Sequence, residues 1–342
     1  MPVRVITATA PVRICDVGGW TDTWFARTGA VFSIAVEPLV HVEVAVHGAP
    51  RRPQVELAAP DLGERYRFDV TAPPGRQPLL ESTFQEVDEL PAGALDVTVR
   101  TGVPPGCGTG TSAAVVVALL AALDALTPGA MGPDRLAQVA HRVETVRLGQ
   151  QSGVQDQLAS AHGGINLLEV RYPDATVHPV DVPAVARKAL QRRLLLVSLG
   201  HPHRSSAIHQ QVVAGLSESS DVPVLDVLRA AAHGAADAVA SGDLEALGDT
   251  MRASTEAQRS LHPSLVSVQA QELIDTAAGA GAAGWKVNGA GGDGGSLTLL
   301  AGAPPDGVDR LRAAVDDLPG DHQVLAIRLA DRGVRVSDHR TG

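Results

Sequence analysis

A glycine-rich stretch in the first half of the chain has the clearest chemical pattern. Residues 104–112 read Pro-Pro-Gly-Cys-Gly-Thr-Gly-Thr-Ser and run straight into an apolar stretch with helical periodicity. Glycines at alternate positions let successive backbone N–H groups turn toward one point, and a helix N-terminus adds partial positive charge there. The pattern predicts an anion cradle, in which Thr111 and Ser112 either cap the helix or bring a hydroxyl to a phosphate or a magnesium ion. Because no Gly-Lys-Ser/Thr closes the stretch, it is not a Walker A loop.

Two carboxylates follow this stretch, Glu144 on the second predicted helix and Asp156 near the start of the third. A turn at residues 149–153 can fold them together. Beside a polyphosphate such a pair suits Mg²⁺, which prefers hard oxygen ligands, and one of the two can instead orient or deprotonate an attacking hydroxyl. Taken singly, each carboxylate is more typical of a solvated charge on a helix.

A second glycine-rich stretch lies near the end of the chain. Residues 286–295 read Lys-Val-Asn-Gly-Ala-Gly-Gly-Asp-Gly-Gly, so that Gly289, Gly291 and Gly294 satisfy G-x-G-x-x-G. A dinucleotide-binding loop needs a helix after it, whereas residues 296–300 have the pattern of a strand. The stretch is therefore predicted to be a tight turn between strands, close to a ligand or to another loop.

The periodicity of the chain indicates which elements hold these stretches. Strands are predicted at residues 3–8, 31–36, 40–46, 54–57, 66–70, 95–100, 165–170, 193–199, 284–288, 296–300 and 324–329. Helices are predicted at 111–126, 133–148, 152–162, 222–240, 244–258 and 265–278, and residues 172–183 are predicted to cross between lobes. Because strands dominate first and helices flanked by strands follow, the order predicts an α+β fold.

Composition limits the class of protein and its partners. With 342 residues, 44% of them hydrophobic, the chain is long enough for two lobes with a cleft between them. The net charge of −10 argues against nucleic acid and anionic lipid as partners. Its two cysteines, Cys15 and Cys107, are too few for a disulfide framework or a zinc site. The start of the chain lacks the pattern of a signal peptide and no apolar run is long enough to span a membrane, so we expect a cytoplasmic protein.

A third motif precedes these clusters in the chain, at residues 11–22, which read Pro-Val-Arg-Ile-Cys-Asp-Val-Gly-Gly-Trp-Thr-Asp. The three motifs, in this order and spanning nearly the whole chain, resemble those of the GHMP kinase superfamily of galactokinase, homoserine, mevalonate and phosphomevalonate kinases. The resemblance implies a two-lobed α+β fold, with an N-terminal lobe like domain 2 of ribosomal protein S5 over residues 1–185 and a ferredoxin-like lobe over 186–342. It also implies ATP and Mg²⁺ as cofactors and a small-molecule acceptor, and it leaves open assembly as a homodimer.

The roles of single residues follow from the same resemblance, position by position. Asp156 matches a catalytic aspartate that contacts the attacking hydroxyl, and Arg13 an arginine beside it that is expected to hold it ionised. Ser112 and Glu144 match the residues at the metal. The residues expected to bind the nucleotide are Pro105, Gly106, Cys107, Gly108, Thr109, Gly110, Thr111 and Ser112. The residues expected to bind the acceptor are Gly19, Trp20, Thr21, Asp22, Asp156, Arg204 and Gly291.

Within the superfamily the chain is most similar to the heptose 7-phosphate kinases, which phosphorylate the anomeric hydroxyl. The residues that carry this resemblance are Gly18-Gly19, residues 152–157, Gly163-Gly164-Ile165-Asn166 and Arg204-Ser205-Ser206, and the candidates to bind a 7-phosphate are Arg147, His201, His203 and Arg204. Trp20 departs from the pattern and is expected to reshape the sugar site or stack on a sugar face. Galactose, fucose, a uronic acid, arabinose or an amino alcohol are alternative acceptors, and a non-catalytic sensor of sugar and ATP is an alternative function.

Overall fold

The computed structural model describes residues 2–48, 54–87, 90–91, 93–127, 131–200, 212–213, 223–303 and 305–340. The strands in these ranges are β1 Arg4–Val17, β2 Thr28–His47, β3 Gln54–Ala59, β4 Glu64–Phe68, β5 Ala94–Arg100, β6 Ile165–Arg171, β7 Asp174–Pro179, β8 Leu194–Ser198, β9 Gly284–Val287, β10 Ser296–Leu300, β11 Gln323–Leu325, β12 Arg328–Leu329 and β13 Arg335–Arg340. The α-helices are α1 Pro78–Phe84, α2 Thr111–Asp124, α3 Pro133–Arg142, α4 Gln155–His162, α5 Ala184–Arg193, α6 Pro223–Ser241, α7 Leu244–Leu261, α8 Val268–Gly279 and α9 Gly307–Asp316.

The larger sheet has the order β13-β1-β2-β5-β3-β4. The long strand β2 pairs with β6 through its first half and with β5 through its second half, and β6 continues into a hairpin with β7. All pairs in this sheet are antiparallel except β3 with β5. The second half of β1, residues 10–17, is buried throughout, so its last residues can position side chains inside the molecule.

The smaller sheet is antiparallel throughout, in the order β11-β8-β10-β9. A turn at residues 288–295 connects β9 to β10, and β10 is a strand. The prediction of a tight turn between strands, instead of a dinucleotide-binding loop, is therefore confirmed. Strands β12 and β13 return from the end of the chain to the larger sheet, where they pair with β2 and β1.

One hydrophobic core lies between the larger sheet and the helices that pack on it. Helix α2 is apolar on all sides, with Ala, Val and Leu from residue 113 onward, and is buried nearly throughout, as expected for a helix without a polar face. Helices α6 and α7 pack against the same sheet, and a second core joins the smaller sheet to α8 and α9. The predicted α+β fold class is thus confirmed, while the division at residue 185 stays a prediction.

Several predicted boundaries are wrong, and the sequence explains why. The segment predicted as one helix at residues 133–148 is an α-helix only as far as Arg142 and then forms the π-helical turn Val143–Arg147. Residues 172–183, predicted to cross between lobes, contain strand β7. Helix α5 was not predicted because only three of its ten residues are buried, which leaves little periodicity. Strand β13 was not predicted because it is exposed along its length and is held by its pairing with β1.

Among the described residues, no helix combines the length and the apolar character needed to cross a lipid bilayer.

Candidate active site

The glycine-rich loop between β5 and α2 adopts the backbone conformation that its sequence predicts. Gly106, Gly108 and Gly110 all have a left-handed φ, of 77°, 67° and 70°. A Cβ at Gly108 would lie 3.0 Å from the carbonyl oxygen of Asn288, and one at Gly110 would lie 3.0 Å from Cγ of Asp156. Since Gly110 is also the N-cap of α2, no side chain caps this helix, and its first N–H groups remain for an anion.

Arg13, close to the end of β1, connects this loop to Asp156. Its Nε donates a 2.8 Å hydrogen bond to Oδ1 of Asp156, and its Nη1 donates to the carbonyl oxygen of Gly108. Burial by itself lowers the pKa of Arg13, but the carboxylates of Asp156 and Asp16 outweigh it and the pKa is raised. Arg13 is 2% exposed, whereas 31% of the Asp156 side chain is exposed. Asp156 is therefore anchored on one side and open on the other.

Two cavities meet at Asp156. One, of about 330 Å³, is formed by the glycine-rich loop and Glu144; the other, of about 190 Å³, is formed by the turn after β1 and the segment before α4. The residues that border both cavities are Arg13, Asp156, Gly289 and Ala290. A carboxylate at this position can face a phosphate on one side and a small polar molecule on the other.

Asp22 forms the wall of the smaller cavity opposite Asp156. Its Oδ2 accepts a 3.1 Å hydrogen bond from the N–H of Gln155, and a Cβ at Gly153 would lie 2.0 Å from the same oxygen. Burial raises the pKa of Asp22 from 3.8 to about 6; the negative charge of Asp156 adds to this, while the hydrogen bond from Gln155 opposes it. The fold therefore holds Asp22 at a cost in stability, which is typical of residues kept for binding.

Replacing Asp22 by asparagine is expected to stabilise the protein at alkaline pH. The folded protein binds a proton at Asp22 more tightly than the unfolded chain, so wild-type stability falls as pH rises from about 4 to about 6. Above pH 6 the variant should gain on the order of 3 kcal/mol in unfolding free energy, and the gain should vanish near pH 4. Urea unfolding at pH 4 and pH 8 measures it, with the exposed Asp237→Asn as control. An equal gain at both pH values would contradict this origin.

Glu144 lies on the π-helical turn, at the wall of the loop cavity. Its Oε2 accepts hydrogen bonds from the hydroxyl of Ser152 at 2.6 Å and from Nε2 of Gln157 at 2.8 Å. Burial raises the pKa of Glu144 to about 7; these hydrogen bonds oppose the shift and the charge of Asp156 adds to it. Because no cation of the described residues pairs with this buried carboxyl, it is suited to receive one from a ligand.

Comparison with known proteins identifies the family. The sequence pattern described as the GHMP kinases N terminal domain matches residues 79–164. A galactokinase of Chloroflexus aurantiacus is 29% identical, over 92% of this chain and 88% of the relative. A mevalonate kinase of Methanothermobacter thermautotrophicus is 30% identical, over 64% of this chain and 69% of the relative. The chain belongs to the GHMP kinase family.

The fold agrees with this assignment. The crystal structure of a D-glycero-D-manno-heptose 1-phosphate kinase from Bacteroides thetaiotaomicron superposes with a TM-score of 0.75, at 20% identity, over 97% of this chain and 98% of that chain. The predicted two-lobed GHMP kinase fold, with its lobe like domain 2 of ribosomal protein S5 and its ferredoxin-like lobe, is confirmed. As a GHMP kinase, the protein is a phosphotransferase that takes its phosphate from ATP and has a small-molecule acceptor.

Most of the residues that the motif comparison singled out border the GHMP kinase cleft. The ones that border it are Arg13, Trp20, Asp22, Gly106, Cys107, Gly108, Thr109, Gly110, Thr111, Ser112, Glu144 and Asp156. Pro105 borders a third, adjoining cavity at the same loop. Their proximity agrees with the predicted roles, and the roles themselves stay predictions.

Three residues predicted to bind the acceptor do not border the smaller cavity, here called the acceptor cavity. They lie behind its wall, as far as the described residues form that wall. The hydroxyl of Thr21 donates to the carbonyl oxygen of Gly18 and accepts from the N–H of Ala30, so it stabilises the turn after β1. A Cβ at Gly19 would lie 2.9 Å from Oδ2 of Asp16, and one at Gly291 would lie 2.2 Å from the carbonyl oxygen of Leu265. The two glycines are thus positions of close packing.

The structure does not place any of the residues predicted to bind a 7-phosphate at the cleft, as far as they are described. His201, His203 and Arg204 lie outside the described residues. Arg147 is on the outer side of the π-helical turn, where its Nε donates a 2.6 Å hydrogen bond to Glu86, and it borders neither cavity among the described residues. Arg147 therefore pairs with the largely buried carboxylate of Glu86 instead of facing the cleft.

The loop cavity fits Mg²⁺ only together with phosphate oxygens. Among the described residues no three His, Cys, Asp or Glu side chains converge on one point that could hold a metal ion. The exposed hydroxyl of Ser112 and the carboxyl of Glu144 nevertheless border the same cavity. Mg²⁺ usually keeps one or two protein ligands and takes the rest from water and a nucleotide, so this sparse set of oxygen donors suits the ion.

Sequence reasoning missed several residues of the site. Ser152, Gly153 and Gln155 border the acceptor cavity. Because they lie within four residues of Asp156 in the sequence, that proximity could have indicated them. Gln155 is buried, and its Oε1 has no hydrogen-bond partner among the described residues. Asp16 and Lys286 belong to the motifs at residues 11–22 and 286–295, but no role was predicted for them, because the ion pair between them joins distant parts of the chain.

Proposed function

We propose that this GHMP kinase transfers the terminal phosphoryl group of ATP to the anomeric hydroxyl of a sugar. The observation that carries the proposal is the position of Asp156, which is anchored by Arg13 and open to both cavities. A donor phosphate on the glycine-rich loop and an acceptor hydroxyl beside Asp22 would then meet at one carboxylate. This is the geometry that phosphoryl transfer needs, because its catalysis depends mainly on positioning and charge stabilisation.

The nucleotide would extend from the loop cavity into the third cavity, which has a volume of about 200 Å³. That cavity shares Gly106, Thr111 and Ser112 with the loop cavity, and much of the rest of its wall is apolar, including Leu62, Leu79, Leu80, Val99 and Val115. An apolar wall suits the flat face of a nucleobase, and the N–H groups of the loop suit the phosphates of the nucleotide. The loop would thus hold the phosphates while the base packs beside it.

Ser112 and Glu144 would hold the magnesium ion that accompanies ATP. When bound, this ion neutralises charge on the phosphate oxygens during transfer. The protein residues do the remaining work: Arg13 holds Asp156 in place, and Asp156 orients the acceptor hydroxyl and accepts its proton as the hydroxyl oxygen bonds to the terminal phosphorus. The bond from that phosphorus to ADP breaks in the same step.

The charge of the acceptor cavity favours a sugar over a carboxylate-bearing acceptor such as mevalonate. Asp22 and Asp156 face the cavity, and Arg13, its one cationic side chain among the described residues, is engaged with Asp156. Such a wall offers acceptors to several hydroxyl groups and repels a carboxylate. The indole of Trp20 adds a flat apolar surface against which a sugar face can stack.

Heptose 7-phosphate is the first acceptor to test, on the strength of the sequence resemblance and of the similar heptose kinase structure. Its phosphate would need cationic contacts beyond the described wall of the cavity, for which His201, His203 and Arg204 are the predicted candidates. Galactose is the second, because of the related galactokinase. A panel of heptose 7-phosphate, galactose, fucose, a uronic acid, arabinose, an amino alcohol and mevalonate, with ADP release coupled to NADH oxidation, would rank them. We expect release with an aldose and none with mevalonate. Release with mevalonate alone would contradict the sugar assignment, and binding of sugar and ATP without release would identify a sensor.

A further inference from the structure

A row of buried charges leads from the smaller sheet to Asp156, and the kinase mechanism above uses only half of it. Lys286 on β9 is 1% exposed, and its Nζ lies 3.8 Å from Oδ1 of Asp16. Asp16 is fully buried, and the same oxygen lies 3.7 Å from Nη1 of Arg13. Arg13 in turn binds Asp156. The order is therefore cation, anion, cation, anion, from the core of the molecule to the cleft.

The surroundings of Lys286 serve its protonated form. Its Nζ donates to Oε1 of Gln258 at 2.9 Å and to the carbonyl oxygen of Val287, and the carboxylate of Asp16 lies at ion-pair distance. The pKa of Lys286 is lowered, mainly by burial; the charge of Asp16 opposes this shift and the charge of Arg13 adds to it. Two hydrogen-bond acceptors and a nearby carboxylate thus surround the ammonium group, and these are the partners that a buried cation needs.

Asp16 is the residue that the two cations share. Both of its oxygens accept from the N–H of Gly289, at 3.2 Å and 3.0 Å, so it also holds the turn after β9 against the cleft. If Lys286 were neutral or absent, Arg13 would be the one cation left for Asp16 among the described residues. Arg13 would then be drawn toward Asp16 and away from Asp156, because an unpaired buried carboxylate is costly.

We propose that Lys286 is a positioning residue for catalysis, which neutralises Asp16 and so leaves Arg13 free to hold Asp156 beside the acceptor. The charged groups that face Asp156 are Arg13 from β1, Asp22 from the turn after β1 and Glu144 from the π-helical turn. Lys286 acts on Asp156 only through Asp16 and Arg13. The kinetic part of this inference rests on the proposed function; the part that concerns Arg13 does not.

Charge-changing variants separate this role from a merely structural one. Lys286→Met should lower kcat about tenfold, because small displacements of a positioned group are costly. In a plot of kcat against pH, the acid limb, where kcat falls as the pH is lowered, should move to higher pH. Asp16→Asn should move that limb to lower pH, because Arg13 then serves Asp156 alone. The double variant K286M/D16N should return kcat to within about threefold of wild type, as expected for coupled residues. The assay uses the acceptor with the fastest ADP release.

A second measurement needs no substrate. In protein labelled with ¹⁵N-arginine, the Nε–H signal of Arg13, assigned with Arg13→Lys, reports its hydrogen bond to Asp156. The signal should shift in Lys286→Met and return in the double variant. Arg193→Met is the matched control, because Arg193 is a largely buried cation of the second half of the chain that pairs with Glu245 away from the cleft. It should lower stability and leave both readouts unchanged.

Two results would overturn the proposal. One is a Lys286→Met variant whose kcat, acid limb and Arg13 signal all stay at their wild-type values. The other is a shift of the acid limb in the same direction in Lys286→Met and Asp16→Asn. If Lys286→Met does not fold, Asp16→Asn and the double variant carry the test, and a limb that moves to higher pH in Asp16→Asn overturns it. If no acceptor releases ADP, the proposed function fails while the Arg13 signal still tests this inference.

Discussion

Asp156→Asn is expected to lower the turnover number at least about a hundredfold while ATP still binds. Asparagine keeps the size of the side chain and can still accept the hydrogen bond from Arg13, but it cannot take a proton from the acceptor hydroxyl. The loss should therefore appear in kcat, measured by coupled ADP release at saturating ATP and sugar. The dissociation constant of ATP, measured by calorimetry, should stay within about threefold of wild type.

Asp134→Asn is the matched control for this variant. Asp134 and Asp156 each occupy the second position of a helix, α3 and α4, so both substitutions remove a negative charge from a first helical turn. Asp134 pairs with His162 at the surface, away from the cleft. Its replacement should leave kcat unchanged. Near-normal turnover in Asp156→Asn would remove Asp156 from the role of general base.

Arg13→Gln is expected to affect both stability and catalysis. Arg13 is buried and binds Asp156, the loop carbonyl of Gly108 and Asp16, so its loss leaves Asp156 and the carbonyl of Gly108 without their cation and Asp16 paired with Lys286. Breaking a buried ion pair from one side typically costs about 3–5 kcal/mol in unfolding free energy, which urea unfolding would measure. The displaced Asp156 should in addition lower kcat about a hundredfold, as loss of a positioning contact does.

Arg4→Gln provides the comparison within the same strand. Arg4 pairs with Asp338 between β1 and β13, and both side chains are partly exposed. Exposed pairs contribute about 1 kcal/mol or less, so this variant should lose little stability and no activity. If Arg13→Gln behaved like Arg4→Gln in both assays, the view of Arg13 as the anchor of Asp156 would be wrong.

The two halves of the active site come from distant parts of the chain, which explains why the glycine-rich stretch at residues 286–295 belongs to it. The side chain of Asn288 accepts from the N–H of Cys15, and the hydroxyl of Ser296 donates to the carbonyl oxygen of Cys107 at 2.6 Å. The turn after β9 thereby contacts both β1 and the phosphate loop. Gly289 and Ala290 complete the walls of both cavities from this side. This stretch contributes to the site mainly through the close packing of its backbone against β1 and the phosphate loop, and less through the chemistry of its side chains.

Features that depend on neighbours along the chain were predictable from the sequence. The glycine conformations of the phosphate loop, the start of α2 at Thr111 and the turn between β9 and β10 are local, since a few consecutive residues determine their backbone angles. The α+β class and the family followed from patterns of the same kind. Weakly patterned segments such as β13 escaped prediction, because main-chain pairing to β1 holds them whatever their side chains.

Tertiary structure alone decided which side chains face the cleft and which charges are shared. Thr21 and Gly291 belong to recognisable motifs yet pack behind the acceptor cavity, whereas Gln155 and Ala290 border it. The pairing of Lys286 with Asp16 joins residues from opposite ends of the chain. Such contacts arise where β1 and β9, from different sheets, come together, and the free energy of burying a charge depends on every group around it. No short stretch of sequence contains that information.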